Sequence, residues 1–360
     1  MTAVTTVKCL VWDLDNTLWQ GTLLEDETVV LSDAIREVIV GLDTRGVLQS
    51  VSSRNDHALA WARLEALGVA DYFVVPQIGW GRKSDAVRRI TEQLNFAPGT
   101  VAFIDDQPAE RAEVAHHLPD VRCYPATDAT TLLGLPEFSP RSVTVDARRR
   151  RKMYQAGFWR TDEQTRFTGS DEDFLRSLDM VLRIGRATED ELSRVEELTL
   201  RTSQLNATGV HYPDEALRAL LARPGHEVLV TTLTDRFGPH GAVGVLLLEK
   251  HPGAWHLKLL ATSCRVVAFG TGTMILNWLT DQAARAGVHL LADFRPTDRN
   301  RMMEIAYRFA GFDDRPCDCR ALIPSRAGAD VQLLHLLATR RGAPTTARLV
   351  APDLTAGGPA

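Results

Sequence analysis

Short apolar runs alternate with amphipathic segments over the first 125 residues. Apolar runs bounded by polar residues or glycine predict buried strands, and apolar residues at helical spacing predict helices. The predicted strands are Val7–Asp13, Val47–Ser53, Tyr72–Val75, Thr100–Asp105 and Val121–Tyr124. The predicted helices run from the Ser32 cap to Gly46 and then cover Asp56–Leu67, Lys83–Leu94 and Pro108–His117.

This alternation predicts the architecture of the first part of the chain. Near-continuous apolar strands separated by amphipathic helices are typical of an α/β fold with a doubly wound parallel sheet. In such sheets, ligands bind beyond the carboxyl ends of the strands. Polar residues end or follow several predicted strands, so we expect a functional site there. These residues are Asp13, Asp15, Ser53, Asp105 and Asp106.

From residue 171 onward the pattern changes. Two helical segments precede three consecutive strand-like runs, and helices and strands then alternate. In chain order these segments are 188–203, 213–222, 227–234, 241–249, 255–262, a helix from Gly270, 288–293, 299–309 and a last strand near 320–324. Consecutive strands followed by helices are typical of an α+β domain, distinct from the first.

We therefore divide the chain into a domain at 1–145, a second domain at 146–340 and a disordered tail at 341–360. The basic run from Arg148 to Lys152 marks the boundary. It is interpreted as a solvated linker or as a docking patch for an acidic partner. The tail is rich in Ala, Thr, Gly and Pro, a composition common in disordered termini.

Composition favours a reduced, cytoplasmic globular protein. The chain is 44% hydrophobic and 24% charged, and its five cysteines are too scattered for a disulfide framework. No apolar stretch reaches the roughly 18 residues that a membrane helix needs, and no secretory leader is expected. A net charge of −5 argues against nucleic-acid binding. Residues 1–145 carry 12 Lys and Arg against 20 Asp and Glu, which favours carboxylates around a metal.

The first candidate site is the DLDNT segment at residues 13–17. Residues two apart in an extended chain share a face, so Asp13 and Asp15 can point into one cleft. Magnesium would relieve the repulsion between their carboxylates, since it prefers hard oxygen ligands. An ionised aspartate can act as a nucleophile and form aspartyl phosphate, and the second carboxylate can serve as acid and base. We assign these catalytic roles to Asp13 and Asp15.

Three further sites in the sequence carry residues that suit the same phosphoryl-transfer chemistry. Ser53 offers a hydroxyl to a phosphoryl oxygen, and Lys83 places positive charge against developing phosphoryl charge. Asp105 and Asp106 supply the remaining metal ligand, without the sequence deciding which of the two binds directly. Taken singly, these residues are equally well explained as a cap, a surface lysine and a turn.

In this order, the four pieces resemble the motifs of the haloacid dehalogenase superfamily. Only 31 residues separate Asp15 from Val47, and only 29 separate Ser53 from Lys83. Neither interval has room for a large lid domain, so a capless fold is expected. An uncovered cleft suits a substrate carried on a macromolecule, or a site closed by the second domain.

A narrower resemblance is to the FkbH-like proteins of this superfamily. In the first half it is carried by KCLVWDLDNTLWQG (8–21), SSRND (52–56) and FIDDQPAER (103–111). In the second half it is carried by ELTLRTSQLNATG (197–209), SCRVVAFGTG (263–272) and TDRNRMMEIAYRFAGF (297–312). The resemblance covers roughly residues 7–325, with the motifs of both halves in order.

This resemblance implies a function in polyketide biosynthesis. FkbH-like proteins take D-1,3-bisphosphoglycerate, release its phosphates and load a glyceryl unit onto the phosphopantetheine thiol of an acyl carrier protein. The product feeds methoxymalonyl-type extender units or tetronate rings. The resemblance further implies a magnesium-dependent N-terminal domain and a C-terminal domain with an acyl-CoA N-acetyltransferase-like fold. It also implies that Thr17 and Asn55, within the first two motifs, bind substrate.

The second half has its own candidate residues. Arg265-x-x-Ala268-x-Gly270 resembles the acetyltransferase R-x-x-G-x-G loop, whose amides at a helix start suit a pyrophosphate or pantetheine. Ala268 replaces the usual first glycine. Asn300 and Tyr307 match the positions where that fold keeps an amide and a tyrosine acid. Core packing of Tyr307 and a plain turn at Gly270 are the structural alternatives.

Cysteine usage raises the question of where an acyl group rests. Cys264 is either an acyl-carrying thiolate next to the proposed loop or a small buried hydrophobe at a strand end. The family usually has C-S-K-N-D where this chain has Ser52 in place of the cysteine and Arg54 in place of the lysine. Cys317 and Cys319 form only C-x-C without partner ligands, so no metal site is expected there.

A polar cluster ends the first helix of the second half. Its members can hold the oxygens of glycerate or cap the helix, and the sequence does not distinguish the two. The candidate binding residues are Arg201, Gln204 and Asn206, with Thr202 beside them.

Three functions remain open at this point. The leading one is glyceryl transfer to a carrier protein. The second is a small-molecule phosphatase whose acetyltransferase-like half only shapes the site. The third is a non-catalytic scaffold that binds a carrier protein, which the presence of every phosphoryl-transfer residue disfavours.

Overall fold

The computed structural model describes residues 5–26, 28–140, 143–201, 205–298, 300–323 and 330–355, excluding the side chains of residues 200 and 201. The chain forms two compact units, Met1–Gln155 and Ala156–Ala360. The division falls inside a helix and lies later than the boundary expected after residue 145. Each unit has its own sheet and its own hydrophobic core.

The described residues of the first unit form a five-stranded parallel sheet. Its order β3-β2-β1-β4-β5 places the first strand in the centre, with later strands added on both sides. The strands are β1 Cys9–Trp12, β2 Leu48–Ser53, β3 Gln77–Ile78, β4 Val101–Asp105 and β5 Arg122–Pro125. Every residue of β1, β2 and β4 is buried, as expected for strands covered on both faces.

Helices connect these strands, and their boundaries follow local capping chemistry. The helices are α1 Asp33–Thr44, α2 His57–Ala66, α3 Lys83–Leu94, α4 Pro108–His117 and α5 Val145–Arg148. Ser32 and Asp56 accept hydrogen bonds from the first-turn amides of α1 and α2, which explains why these helices begin there. Among the described residues, no separate domain is inserted between β1 and β4, in agreement with the expectation of a capless fold.

Two local predictions for the first unit are wrong. The apolar run Tyr72–Val75 was expected to form a strand, but it supplies only an isolated bridge from Phe73 to Gln49, and β3 follows at Gln77–Ile78. Val75 adopts a left-handed φ of 44°, which interrupts an extended strand.

The basic run at 148–152 is also not an unstructured linker, whereas its exposed residues Arg148, Arg149 and Lys152 leave the docking patch as a prediction. It lies at the start of a helix, α6, at Arg150–Arg166. Arg150 donates to the carbonyl of Gly46, and Arg151 pairs with Asp43 at 2.8 Å. Within the first unit, these contacts hold the first turn of α6 against the end of α1.

In the second unit, the described residues form a seven-stranded mixed sheet of order β11-β10-β9-β8-β7-β6-β12. Neighbouring strands are antiparallel, except that β10 runs parallel to β9 and β12 runs parallel to β6. The strands are β6 Met180–Arg186, β7 His226–Asp235, β8 Gly238–His251, β9 Ala254–Thr262, β10 His289–Phe294, β11 Gln332–Leu336 and β12 Ala347–Val350.

Helices pack on this sheet around two hydrophobic clusters. They are α7 Asp171–Ser177, α8 Leu192–Arg201, α9 Asp214–Leu221, α10 Thr271–Ala286 and α11 Arg301–Ala310. The architecture of both units matches the predicted fold class, an α/β unit with a parallel sheet followed by an α+β unit. None of the described helices is long and apolar enough to cross a membrane.

Within the second unit, a buried ion pair joins α6 to the end of β7. Arg160 Nε lies 2.6 Å from Asp235 Oδ2, and His240 Nε2 lies 2.9 Å from the same oxygen. Burial raises the pKa of Asp235, but the hydrogen bond with His240 and the contact with Arg160 lower it to about 2.

Two predictions for the end of the chain are wrong. Instead of a last strand near 320–324, Asp318–Leu322 forms a 3₁₀ turn, and β11 follows at Gln332–Leu336. The tail from residue 341 was expected to be disordered, yet β12 at Ala347–Val350 pairs with β6. The backbone of the tail is ordered because it pairs with a strand that is distant in sequence, and amino-acid composition does not predict such pairing.

Candidate active site

Three neighbouring parallel strands end at one place in the first unit. Asp13 directly follows β1, Ser53 ends β2 and Asp105 ends β4. Because β2, β1 and β4 are adjacent and parallel, their carboxyl ends meet at the same edge of the sheet. Lys83 begins α3 and reaches this edge, where its side chain is buried.

Lys83 lies at the centre of a buried group of carboxylates. Its Nζ donates to Asp13 Oδ1 and, at 2.8 Å, to the carbonyl of Ser52. It also lies 3.1 Å from Asp105 Oδ2. Burial lowers the pKa of Lys83, but Asp13 and Asp105 outweigh this effect and raise it above its ordinary value. The lysine is therefore charged and balances part of the negative charge.

The carboxylates themselves resist ionisation. Burial raises the pKa of Asp13, although the charge of Lys83 opposes this. Burial likewise raises the pKa of Asp105 to about 7; Lys83 opposes this rise, and the negative charge of Asp13 adds to it. A second cation near these groups would therefore be strongly attracted.

The arrangement fits a divalent cation. One carboxylate oxygen from each of Asp13, Asp105 and Asp106 lies within 4.8 Å of the others. Asp106 Oδ1 is buried and has no hydrogen-bond partner among the described residues, and Asp105 Oδ2 has the shared Lys83 ammonium at 3.1 Å. Buried polar atoms without partners are costly, and an oxygen-only donor set is what magnesium prefers. The structure thus brings together the side chains of three of the four aspartates predicted to bind the metal.

Asp15 lies beside this group rather than within it. Its Oδ1 accepts from Trp19 Nε1 at 2.8 Å and from the amide of Leu23 at 2.9 Å. Its Oδ2 accepts from Asn55 Nδ2 at 3.0 Å. These three donors orient the carboxylate. Metal binding by Asp15 and its role as acid and base remain predictions.

Thr17 and Asn55 were predicted to bind substrate, and the structure gives each of them a positioning contact. Both side chains are buried. Thr17 Oγ1 accepts from the amide of Asp106 at 2.9 Å, and Asn55 donates to Asp15. Asn55 thus orients the carboxylate of Asp15, and Thr17 holds the backbone of Asp106; contact of either residue with substrate stays a prediction.

Sequence reasoning missed Glu110, a buried residue in the first turn of α4. Its two oxygens lie 3.1 Å from Lys83 Nζ and 3.0 Å from Arg54 Nη1. A glutamate in the first turn of a helix is ordinarily a favourable partner of the helix dipole, so the sequence has no signal that distinguishes it. In the fold, Glu110 links the buried Lys83 to Arg54, which belongs to the SSRND motif.

A pocket of about 100 Å³ adjoins the carboxylate group. Ser53 and Lys83 line it, together with three arginines. The arginines are Arg54, Arg82 and Arg89. Positive charge beside the predicted nucleophile suits a phosphorylated substrate. Ser52, which also lines the pocket, has a buried hydroxyl without a partner among the described residues.

In the second unit, Cys264 opens a 3₁₀ turn that runs to Phe269, directly after Ser263 at the end of β9. Its side chain is exposed, which contradicts the alternative of a small buried hydrophobe. The next residue, Arg265, donates from Nε to Ser263 Oγ at 3.2 Å. Gly270 ends the turn with a left-handed φ of 69° and leads into α10, a conformation that favours glycine.

The other residues predicted to bind substrate in this unit have structural contacts. Asn206 is buried, and its Oδ1 accepts from the amides of Thr208 and Gly209 at 3.0 and 2.7 Å. Asn300 is also buried, and its Nδ2 donates to the carbonyls of Arg295 and Asn206 at 2.8 and 3.1 Å. Both amides hold loops together, and contact of these residues with substrate stays a prediction. Gln204 lies outside the described residues, and only the backbone of Arg201 is described.

Tyr307 belongs to the core rather than to an open acid position. It is fully buried against Phe294 and Phe312, with ring centroids 6.3 and 5.2 Å away. Burial raises the pKa of its hydroxyl, which has no hydrogen-bond partner in the described part of the chain. The core alternative is therefore the one that the structure supports.

Two clusters in the second unit escaped sequence reasoning. His256 and Asp293, on adjacent strands β9 and β10, form a fully buried pair at 2.8 Å. Cys317 and Cys319 were expected to lack partner ligands, and that expectation is wrong. His289 and His335 lie beside them, although they are distant in sequence.

Comparisons with known proteins match parts of the chain. No protein-family model and no curated protein matches the sequence. The N-terminal part of the BF1531 protein from Bacteroides fragilis, which contains a phosphatase domain complexed with magnesium, is 30% identical over 37% of this chain, with a TM-score of 0.32. The match spans 37% of the length of that chain.

Two further solved structures are more distant. The 3-deoxy-D-manno-octulosonate 8-phosphate phosphatase of Moraxella catarrhalis, in complex with magnesium and phosphate ions and KDO, is 19% identical over 30% of this chain and 62% of its own, with a TM-score of 0.25. The spermidine N-acetyltransferase of Vibrio cholerae, in complex with CoA and spermine, is 11% identical over 44% of this chain and 95% of its own, with a TM-score of 0.32. Similarities of this extent do not assign an activity.

Proposed function

We propose that this chain is a magnesium-dependent phosphoryl-transfer enzyme that also transfers an acyl group. The observation that carries the proposal is the buried group around Lys83, where Asp13, Asp105 and Asp106 converge and a single lysine faces several carboxylates. One oxygen of this group, Asp106 Oδ1, has no partner among the described residues, and a purely structural site would have satisfied it, since buried polar atoms without partners are destabilising.

In this proposal, each residue has a defined task. Asp13 Oδ attacks the phosphorus of a phosphate ester, and the bond from phosphorus to the ester oxygen breaks. Asp15 protonates the departing oxygen, and a water molecule then hydrolyses the phosphoaspartate to release inorganic phosphate. Lys83 and Ser53 stabilise the charge that develops on the phosphoryl oxygens. Magnesium held by Asp13, Asp105 and Asp106 would neutralise phosphoryl charge when bound.

We further propose that the substrate is D-1,3-bisphosphoglycerate and that the product is a glyceryl thioester on an acyl carrier protein. The resemblance of both halves to FkbH-like proteins supports this assignment. The arginine-lined pocket beside Lys83 suits a small acid with two phosphates, because a second anionic group gains from the additional positive charge.

The acyl step is assigned to the second unit. The Cys264 thiolate attacks the acyl carbon of the mixed anhydride, and the bond to the phosphate oxygen breaks to release inorganic phosphate. The phosphopantetheine thiolate then attacks the new thioester, and Cys264 departs as the leaving thiolate. The exposure of Cys264 supports this role, because a carrier-bound thiol has to reach it.

One experiment tests the whole proposal. The chain is incubated with magnesium, D-1,3-bisphosphoglycerate and holo-carrier protein, and the carrier is weighed by intact mass spectrometry while inorganic phosphate is measured. We expect a glyceryl adduct on the carrier and release of both phosphates. Phosphate release with free glycerate and an unmodified carrier would favour the small-molecule phosphatase. Carrier binding without any turnover would favour the scaffold.

A further inference from the structure

Four side chains of the kinds that bind metals meet in the second unit, away from Cys264 and the 3₁₀ turn that precedes α10. They are His289, Cys317, Cys319 and His335, and one ligating atom of each lies within 4.8 Å of all the others. Cys319 Sγ lies 3.1 Å from Cys317 Sγ, and Cys317 Sγ lies 3.4 Å from His289 Nδ1. His335 Nε2 lies 3.1 Å from His289 Nδ1.

The sheet explains why the two histidines meet. His289 is the first residue of β10, and His335 belongs to the antiparallel neighbour β11, where it pairs with Leu291. Residues two apart in a strand share a face, so His289, Leu291 and His335 point to the same side of the sheet. The turn that contains Cys319 covers this side, where Cys319 packs with Leu291 and Leu333.

The separations correspond to the edges of a small tetrahedron. Tetrahedral zinc with Zn–S of about 2.3 Å and Zn–N of about 2.0 Å sets ligand atoms roughly 3.3 to 3.8 Å apart. The two contacts of His289 Nδ1, at 3.1 and 3.4 Å, lie within a few tenths of an ångström of these edges, whereas the Sγ–Sγ separation of 3.1 Å is shorter than its edge by about 0.7 Å. Binding of one ion would therefore move the two thiols apart.

Without an ion, this group is poorly satisfied. Two thiols and two imidazoles form weak hydrogen bonds with one another, since a thiol is a weak donor and a weak acceptor.

Two neighbours complete the surroundings. Asp313 Oδ1 lies 4.0 Å from His335 Nδ1, the ring nitrogen opposite the one that faces His289. A carboxylate on the far nitrogen of a ligating histidine is a frequent support of zinc sites. Arg320 follows Cys319 directly, and its Nε and Nη2 are buried without hydrogen-bond partners among the described residues. Its positive charge would partly offset the negative charge of thiolates bound to a metal ion.

We propose that His289, Cys317, Cys319 and His335 bind one zinc ion. Four protein ligands leave no open position, so the site is structural rather than catalytic. Two ligands come from the β10–β11 pair and two from the turn that covers it. The ion therefore clamps the turn and the edge strand β11 onto the rest of the sheet. This proposal is independent of the function proposed above.

Cobalt binding tests the site directly in the full-length protein. The reduced protein is freed of metal with a chelator, returned to buffer with excess magnesium to fill the carboxylate site, and titrated with Co²⁺. We expect about one equivalent to produce thiolate-to-cobalt charge-transfer absorption and the intense visible bands of tetrahedral cobalt, and an equivalent of Zn²⁺ to abolish them. Saturation without thiolate charge transfer, or with the weak bands of octahedral cobalt, would overturn the proposal.

Matched variants locate the ligands. We expect Cys317→Ser with Cys319→Ser to lose the charge-transfer band, and Cys123→Ser with Cys264→Ser to keep it at full intensity. Loss of the band in the control pair alone would overturn the assignment. The titration of the wild-type protein stands even where a variant does not fold. A disulfide between Cys317 and Cys319 would lower the mass of the chain by two hydrogens. If such a chain also bound no zinc after reduction, the two cysteines would be a redox pair and the proposal would be overturned.

Discussion

Replacing Lys83 by methionine removes the positive charge at the centre of the buried carboxylates. The side chain is 2% exposed, and Asp105 and Glu110 each lie 3.1 Å from its Nζ. At an effective dielectric constant of about 20, one such contact is worth about 5 kcal/mol of Coulomb attraction, and burial of the ammonium offsets several kcal/mol of the total. We therefore expect Lys83→Met to lower the free energy of unfolding by about 3–5 kcal/mol at pH 8 without magnesium, as for other broken buried pairs.

The pH dependence of this loss has a defined sign. The carboxylates that remain bind protons more tightly in the folded state than in the unfolded state, since burial already raises the pKa of Asp13 and that of Asp105 to about 7. Stability of the variant therefore rises as the pH falls from 8 to 5, by at most about 1.4 kcal/mol per pH unit for each proton taken up. Magnesium should restore part of the loss, because it binds only the folded state.

Urea unfolding followed by tryptophan fluorescence measures these changes, since Trp12 and Trp19 are buried in the same unit. Lys152→Met, at an exposed lysine, serves as the matched control and should stay within about 0.5 kcal/mol of the wild type. Adding Glu110→Gln to Lys83→Met should recover part of the stability by removing one uncompensated charge. The reasoning fails if Lys83→Met unfolds within about 1 kcal/mol of the wild type and shows the same pH slope.

Three further outcomes are expected. Asp13→Asn should keep the fold and lower phosphate release by on the order of 10³-fold or more, because the nucleophile is lost; near-normal release in a steady-state phosphate assay would exclude that role. Cys264→Ala should lose carrier loading in the mass assay and retain release of the ester phosphate, whereas Cys123→Ala should load normally; full loading by Cys264→Ala would mean direct transfer from the acyl phosphate to the carrier thiol. Arg160→Leu should cost about 2–3 kcal/mol at pH 7, because it removes a partner that holds the pKa of Asp235 near 2. That contribution is present above about pH 4 and is lost as the pH falls toward 2, so the two unfolding curves should converge in acid; a constant difference across this range would contradict the assignment.

Local pattern determined much of the first unit. Unbroken apolar runs are compatible only with strands covered on both faces, and in a parallel sheet all of their carboxyl ends lie at one edge. Asp13, Ser53 and Asp105 could therefore be placed together from the sequence, and Lys83 was expected beside them from its position at the start of a helix. The same reasoning located most strands and helices of the second unit, where the period of the pattern changes.

Predictions that rested on a residue's type alone were not decided by the sequence. Asn206 and Asn300 have the right chemistry for a ligand, and their amides satisfy backbone groups. Cys264 was undecided between packing and chemistry until the fold showed it exposed. A polar side chain can serve the backbone or a substrate, and only its surroundings show which of the two it does.

Tertiary structure alone decided the contacts between residues far apart in sequence. Glu110 reaches Lys83 and Arg54 only because α4 packs beside the edge where β2 ends. His289 stands 28 residues before Cys317, and strand pairing rather than spacing brings His335 to both. Local periodicity records which face of an element is buried, but it carries no information on which distant element will cover that face. The composition of the metal-ligand cluster in the second unit was therefore set by the register of β10 and β11 and the turn that packs on them.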